Sequence, residues 1–161
     1  MTRYFSDMYS RKNKTVVFSY DIDDMFKKVS MESSYISRSV KDDEGNYRGE
    51  EFALTHDEDD VYRECFRKGA NSLASEFLKM CVDVDFEDDF SIIFPDNKIK
   101  EKILKIVDES FTDALLYGVL SNWFEVCGDG KLLEYCRGME AIKLKKLWDD
   151  TFGIRLKMFS E

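Results

Sequence analysis

Residues 99–127, IKEKILKIVDESFTDALLYGVLSNWFEVC, limit what this chain can fold into more than any other stretch. Ile99, Ile103, Ile106, Val107, Ala114, Tyr117, Leu120 and Phe124 fall on one side at the helical period. Glu101, Lys102, Lys105, Glu109, Thr112 and Asp113 fall on the other, so the run is an amphipathic helix. From Phe111 onward Leu115, Leu116, Val119 and Trp123 occupy the side that was polar. That half is expected to be surrounded by protein on most faces. Pro95 and Asp96 supply a start signal, and Gly128, Asp129 and Gly130 a stop. Ser121 and Asn122 interrupt the apolar set before the roughly 20 residues a bilayer needs, so the segment reads as a buried core helix.

A chain of 161 residues fits one domain able to bury a core without staples. Thirteen Phe, with one Pro and eight Gly, argue for a packed interior and against long structureless linkers. The amino end, MTRYFSDMYSRKNK, has charge but no apolar leader segment. Cys65, Cys81, Cys127 and Cys136 form no CxxC pair and sit in helix-like segments, as reduced thiols used for their small apolar volume. A cytoplasmic origin is expected. The net charge of −9 disfavours general affinity for DNA or anionic membranes, because each phosphate contact needs a local cation. An acidic wall still suits a passage for DNA, since a basic one would hold the polymer.

Residues 1–14 interleave Arg3, Arg11, Lys12 and Lys14 with Tyr4, Phe5, Met8 and Tyr9. Basic plus aromatic fits nucleic acid or a partner groove, but a terminal arm packed on its own or a neighbouring subunit is the preferred reading. TVVFSY at 15–20 is strand-like. Asp21 caps a short helix expected to reach about Ser33, with Ile22, Met25, Phe26 and Val29 inward. Ser33 to Thr55 is the least regular part, and its centre, KDDEGNYRGEE, reads as a projecting loop that is functional or mobile.

Thr55 and Glu58 make a capping box, followed by a helix expected over Asp57–Met80 with Val61, Tyr62, Cys65, Phe66, Leu73, Phe77 and Leu78 inward. In DVDFEDDFSIIF, residues 83–94, the first half is an acidic turn. Phe90 to Phe94 resembles a strand able to pair with residues 15–20. Asp129 or Gly130 opens a last helix to about Thr151, with Leu132, Leu133, Cys136, Met139, Leu147 and Trp148 towards the core and Lys143, Lys145 and Lys146 outward. Gly153 permits a left-handed stop. Beyond it Ile154, Arg155, Leu156, Lys157, Met158 and Phe159 alternate apolar with basic, as in an extended tail that takes a partner.

The fold class that follows is mainly α: a compact bundle of about four helices with a small β-hairpin or strand pair and a projecting loop. Residues 1–20 are an arm and strand, 21–153 the helical domain with its loop at 34–54, and 154–161 a docking tail.

Catalytic signals are missing from this sequence. An EF-hand loop begun at Asp83 needs Gly at its sixth position and a carboxylate at its twelfth, where Asp88 and Phe94 stand. His56, the lone histidine, lies inside the capping box and reads as a surface residue at a helix start. No nucleotide-binding loop, hydrolase or kinase signature is present, and Cys65 and Cys81, sixteen residues apart on one expected helix, are too far apart to share a zinc site. No enzyme activity, metal or cofactor is expected.

Four segments carry a resemblance: DIDDMFKKVSMESSYI, LTHDEDDVYRECFRKGANSLASEF, FSIIFPDNKIKEKI followed by LLYGVLSNWFEV, and the lysine-bearing last helix ending in GIRLKM. Their order resembles small virion proteins of tailed phages of Bacteroides-type hosts, including crAss-like phages, and is similar to the head-to-tail connector, or adaptor, family. The closing basic pair here is Arg155 and Lys157 split by Leu156, and the basic arm has no counterpart.

The resemblance implies a structural virion protein. Its helical subunits would form a homo-oligomeric neck ring of about twelve copies by heterologous contacts closing under the portal. The partners implied are itself, the portal protein and the next neck or tail ring, with DNA only as passing cargo and no membrane. The place implied is the virion neck, between capsid and tail, after synthesis in a bacterial host's cytoplasm. On this reading Ile154, Arg155, Leu156, Lys157, Met158 and Phe159 dock on the portal or an adjoining ring. Lys41, Asp42, Asp43, Glu44, Tyr47 and Arg48 reach a neighbouring ring or the channel, and Arg3, Tyr4, Phe5, Tyr9 and Arg11 make arm contacts. The alternatives are a stopper or tail-terminator neck protein, which would favour a β-rich body, and a cytoplasmic helical regulator that binds a host protein through its aromatic termini.

Overall fold

In the computed structural model, which describes residues 15–81, 83–86, 89–95 and 101–153, alternation along the strands builds a three-stranded antiparallel sheet. β1 (Thr15–Tyr20) pairs with β3 (Phe90–Pro95), so that Val16, Phe18 and Tyr20 face Phe94, Ile92 and Phe90 on the buried side. On the other side Ser19 and Ser91, directly opposed, share a hydrogen bond of 2.6 Å. The expected pairing is present, and a third strand joins it. β2 (Asp83–Asp85), read from sequence as an acidic turn, pairs along β3 at the sheet edge. Its exposed Asp83 and Asp85 give that edge the charge that discourages a further strand.

Four helices complete a mainly α architecture: α1 (Ile22–Ser37), α2 (Asp59–Glu76), α3 (Leu104–Cys127) and α4 (Gly130–Trp148). Asp21 caps α1 by accepting from the backbone N–H groups of Asp23 and Asp24 at 2.8 and 2.9 Å. The capping box of Thr55 and Glu58 closes a 3-10 turn, His56–Glu58, that leads into α2. Gly128, at φ 76°, ends α3, and Asp129 caps α4 through the Leu132 N–H at 2.9 Å. The last turn of α4 widens into a π-helical turn over Asp149–Gly153. Among the described residues no helix is long and apolar enough to cross a membrane.

α3 is the centre, with α2 and α4 packed along it. Phe111 is the aromatic hub, its ring lying 5.0 Å from Phe18, 5.3 Å from Phe77 and 5.8 Å from Phe94. Phe77 stacks in turn on Trp148 at 4.9 Å, so sheet, α2, α3 and the end of α4 share one cluster. From Ser110 to Phe124 nearly every residue of α3 is buried, as the widening of its apolar set requires.

Several boundaries and faces differ from those read in the sequence. α1 runs to Ser37, a full turn past Ser33, because its serines bond backward and sideways without breaking the helix. α2 stops at Glu76, and the turn that follows carries Leu78 out to solvent. Val61, at the helix start, is also exposed, whereas Gly69, Ala70 and Ala74 face the core. Ile106, placed on the buried side, is exposed, one turn before the level at which Ser110 Oγ donates to Asp150 at 2.8 Å. Thr112, placed on the polar side, is buried and donates to the Asp108 carbonyl at 2.9 Å.

Candidate interaction surface

The segment expected to be an irregular loop, 34–54, is a built projection. After α1 the chain turns back through a bridge between Lys41 and Tyr47, with the Arg48 N–H donating to the Val40 carbonyl at 2.8 Å. Asp42 organises the tip, since its Oδ1 accepts from the N–H groups of Glu44 and Asn46 at 2.9 and 2.8 Å. Those bonds hold its carboxyl below the usual range, the one from Asn46 foremost. Gly45 sits at φ 85°, the left-handed conformation this turn requires.

The base of the projection is stapled to the core. Ser30 Oγ donates to the Leu54 carbonyl at 2.8 Å, and Ser33 Oγ accepts from the Leu54 N–H at 2.9 Å. Ser37 Oγ donates to the Gly49 carbonyl at 3.0 Å, and Trp123 Nε1 donates to the Phe52 carbonyl at 2.8 Å. A β-carbon on Gly49 would lie 2.6 Å from the Ser37 carbonyl oxygen, so only glycine lets the returning chain come this close to α1. Beyond the staples the side chains face solvent. Lys41 Nζ sits 4.7 Å from the centre of the Tyr47 ring, which is 70% exposed, and Arg48 pairs with Glu51.

The hairpin thus brings together Lys41, Asp42, Asp43, Glu44, Tyr47 and Arg48, the residues the sequence nominated for it. Arg3, Tyr4, Phe5, Tyr9 and Arg11, and Ile154, Arg155, Leu156, Lys157, Met158 and Phe159, lie outside the described residues. His56 is exposed and stacks on Phe26 at 4.6 Å. No family model, curated protein or solved structure matches this chain.

Exposed apolar residues that sequence reasoning left out extend the surface. Met31 and Tyr35, one turn apart on α1, are 71% and 62% exposed, and Arg38 lies 5.2 Å from the Tyr35 ring. On α4, Tyr135 and Ile142 flank an open notch over Gly138. The signal was present as large apolar residues on otherwise polar helix faces, which a search for core positions passes over.

A groove of about 410 Å³ separates α1 from the start of α2, lined by Asp23, Phe26, Lys27, Ser30, Met31, His56 and Asp59. Both carboxylates are paired with Arg63, 2.9 Å from Asp59 and 3.5 Å from Asp23. Among the described residues no group of three or more His, Cys, Asp or Glu is placed to hold a metal ion. The thiols of Cys65 and Cys127 are pushed up to about 11, and that of Cys136 to about 12, by burial, which keeps them protonated and poor nucleophiles at neutral pH.

Proposed function

We propose that this chain is a structural subunit of a phage neck ring, a head-to-tail connector that joins portal to tail around the DNA exit path. The observation that carries this reading is the hairpin at 40–48: a projection with an exposed charged and aromatic tip, fixed to the body by Ser30, Ser33, Ser37 and Trp123. Holding such a tip rigid lowers the ordering cost of binding, as an inter-ring contact requires. The resemblance in segment order supports the same reading, and the negative charge suits a wall past which DNA slides. A helix-dominated body fits a connector subunit better than a β-rich stopper or terminator.

The test is electron microscopy of the purified protein, alone and with portal protein. Closed rings that seat on the portal are expected. Lys41→Glu combined with Tyr47→Ala should leave the ring intact and abolish attachment of the adjoining ring. A monodisperse monomer under both conditions would remove the ring reading and favour a regulator that works as a single chain.

A further inference from the structure

α4 is apolar on two sides. Leu132, Cys136 and Leu147 are buried against the body, yet Tyr135 and Ile142 stand on the outer side, 49% and 60% exposed. They belong to a stripe, Lys131, Tyr135, Gly138, Ile142, Lys145 and Asp149, whose steps of four, three, four, three and four residues are the seam spacing of two paired helices. All six residues are exposed. Gly138 opens a notch of about 430 Å³ in the middle of the stripe, and among the described residues a β-carbon there would meet nothing within 4 Å. The cations of α4 that pair within the subunit, Arg137, Lys143 and Lys146, all lie off this stripe.

Run in the opposite direction, the stripe is its own complement. Two copies of α4 laid antiparallel about a two-fold axis at the level of Glu140 put Ile142 of one over Gly138 of the other, Tyr135 beside Lys145, and Lys131 beside Asp149. Each contact occurs twice. A large side chain meets a notch, an aromatic ring meets a cation, and opposite charges meet at both ends. A parallel pair would oppose Lys131 to Lys131 and Ile142 to Ile142, and would leave the two notches facing each other.

We propose that the outer face of α4 is an isologous interface with a second copy of this chain, the helices antiparallel and Ile142 of each copy filling the notch over Gly138 of the other. A two-fold contact does not close a ring, which needs a heterologous one, so this interface does not rest on the neck-ring reading. It joins copies in twos, whether they are free or already in rings.

The full-length protein is compared by light scattering, over a range of concentrations, with two full-length variants. Ile142→Glu removes the side chain that enters the notch, and Gly138→Gln fills the notch itself. Both positions face solvent in the subunit, so the fold should be unchanged, which circular dichroism checks. The wild type is expected as a dimer or a larger even-numbered assembly, and each variant at half that mass. Orientation is read from charge: Lys131→Asp and Asp149→Lys should each raise the dissociation constant about tenfold, because each sets like charges together at both ends of the seam. Both changes suit their own helix end, an anion in the first turn and a cation at the C-cap, so lost association does not report a weakened helix. The double variant, and an equal mixture of the two single ones, should recover the wild-type constant. Within one chain the two positions lie about 27 Å apart along the helix, too far to compensate each other.

A wild type that stays monomeric at millimolar concentration overturns the proposal, as does either notch variant that keeps the wild-type mass. A double variant that fails to recover association overturns it too. Rings that keep their mass in both notch variants would support the neck reading and overturn this contact.

Discussion

Gly69 of α2 and Gly118 of α3 face each other where the two helices cross, and a β-carbon on Gly69 would lie 2.9 Å from the Val119 nitrogen and 3.1 Å from the Gly118 carbonyl carbon. Those neighbours are backbone and cannot rotate away. Gly69→Ala therefore pushes the helices apart, at about 1–3 kcal/mol for overpacking, against a gain of up to about 1 kcal/mol in helix propensity. The expected net result is a thermal midpoint lowered by about 2–6 °C in a domain of this size. Gly138, mid-helix in α4 with nothing within 4 Å of such a carbon, is the contrast. Gly138→Ala should stabilise by up to about 1 kcal/mol, as calorimetry on both variants would show.

The serine staples predict a local effect with a specific reporter. Ser33 is fully buried, and its hydroxyl takes the Leu54 N–H while donating to the Ser30 carbonyl at 2.9 Å. Ser33→Ala leaves that buried N–H without its acceptor, a loss of about 1–3 kcal/mol. Faster amide exchange is expected at Leu54, together with a change in Trp123 fluorescence, because the Phe52 carbonyl that holds the indole N–H moves with the same segment.

At the hairpin tip the expected change follows acid. Because its bonds to Asn46 and Glu44 depress the Asp42 carboxyl below its usual 3.8, they support the turn fully above that value and are lost as pH falls through the depressed one. The amides of Glu44 and Asn46 should lose protection together in strong acid. Asp42→Ala should remove that protection at every pH while leaving the global midpoint within about 0.5 kcal/mol, since the tip is solvent-exposed. Amide exchange followed by NMR reads both.

How much of this was legible in the sequence depended on whether local rules or a distant partner decided each position. Asp21, Thr55 with Glu58, and Asp129 act on their own helix ends and were readable, as was the pairing of 15–20 with 90–94, whose alternation admits one buried face. Val61 and Leu78 were misplaced because one stands in the first turn of α2 and the other beyond its last residue, limits that periodicity alone does not set. The end of α1 was missed because serines normally favour turns, whereas Ser33 and Ser37 here bond back to the Ser30 and Ser33 carbonyls of their own helix and sideways to the returning chain at Leu54 and Gly49. The groove was invisible because Phe26 and Met31 belong to α1, His56 to the turn before α2 and Asp59 to α2 itself, and tertiary packing alone sets them side by side.

Glu140 on α4 supplies the test of electrostatics in the core. Its carboxyl lies against the α2–α3 crossing, accepting from Ser121 Oγ at 3.2 Å, and burial raises it above its usual 4.5, with Glu76 adding to the rise and Ser121 and Arg137 opposing it. A carboxyl raised on folding binds more protons in the native state than in the unfolded one, so its charged form works against folding. That penalty is absent below the unfolded value and grows as pH rises through 4.5 to the raised value. Glu140→Gln keeps an acceptor for Ser121 and removes the charge. It should stabilise the protein at neutral pH by an amount that shrinks to nothing on acidification below 4.5, as paired urea titrations at neutral and acidic pH would show. An equal effect at both would mean that shape, not charge, decides what stands at this position.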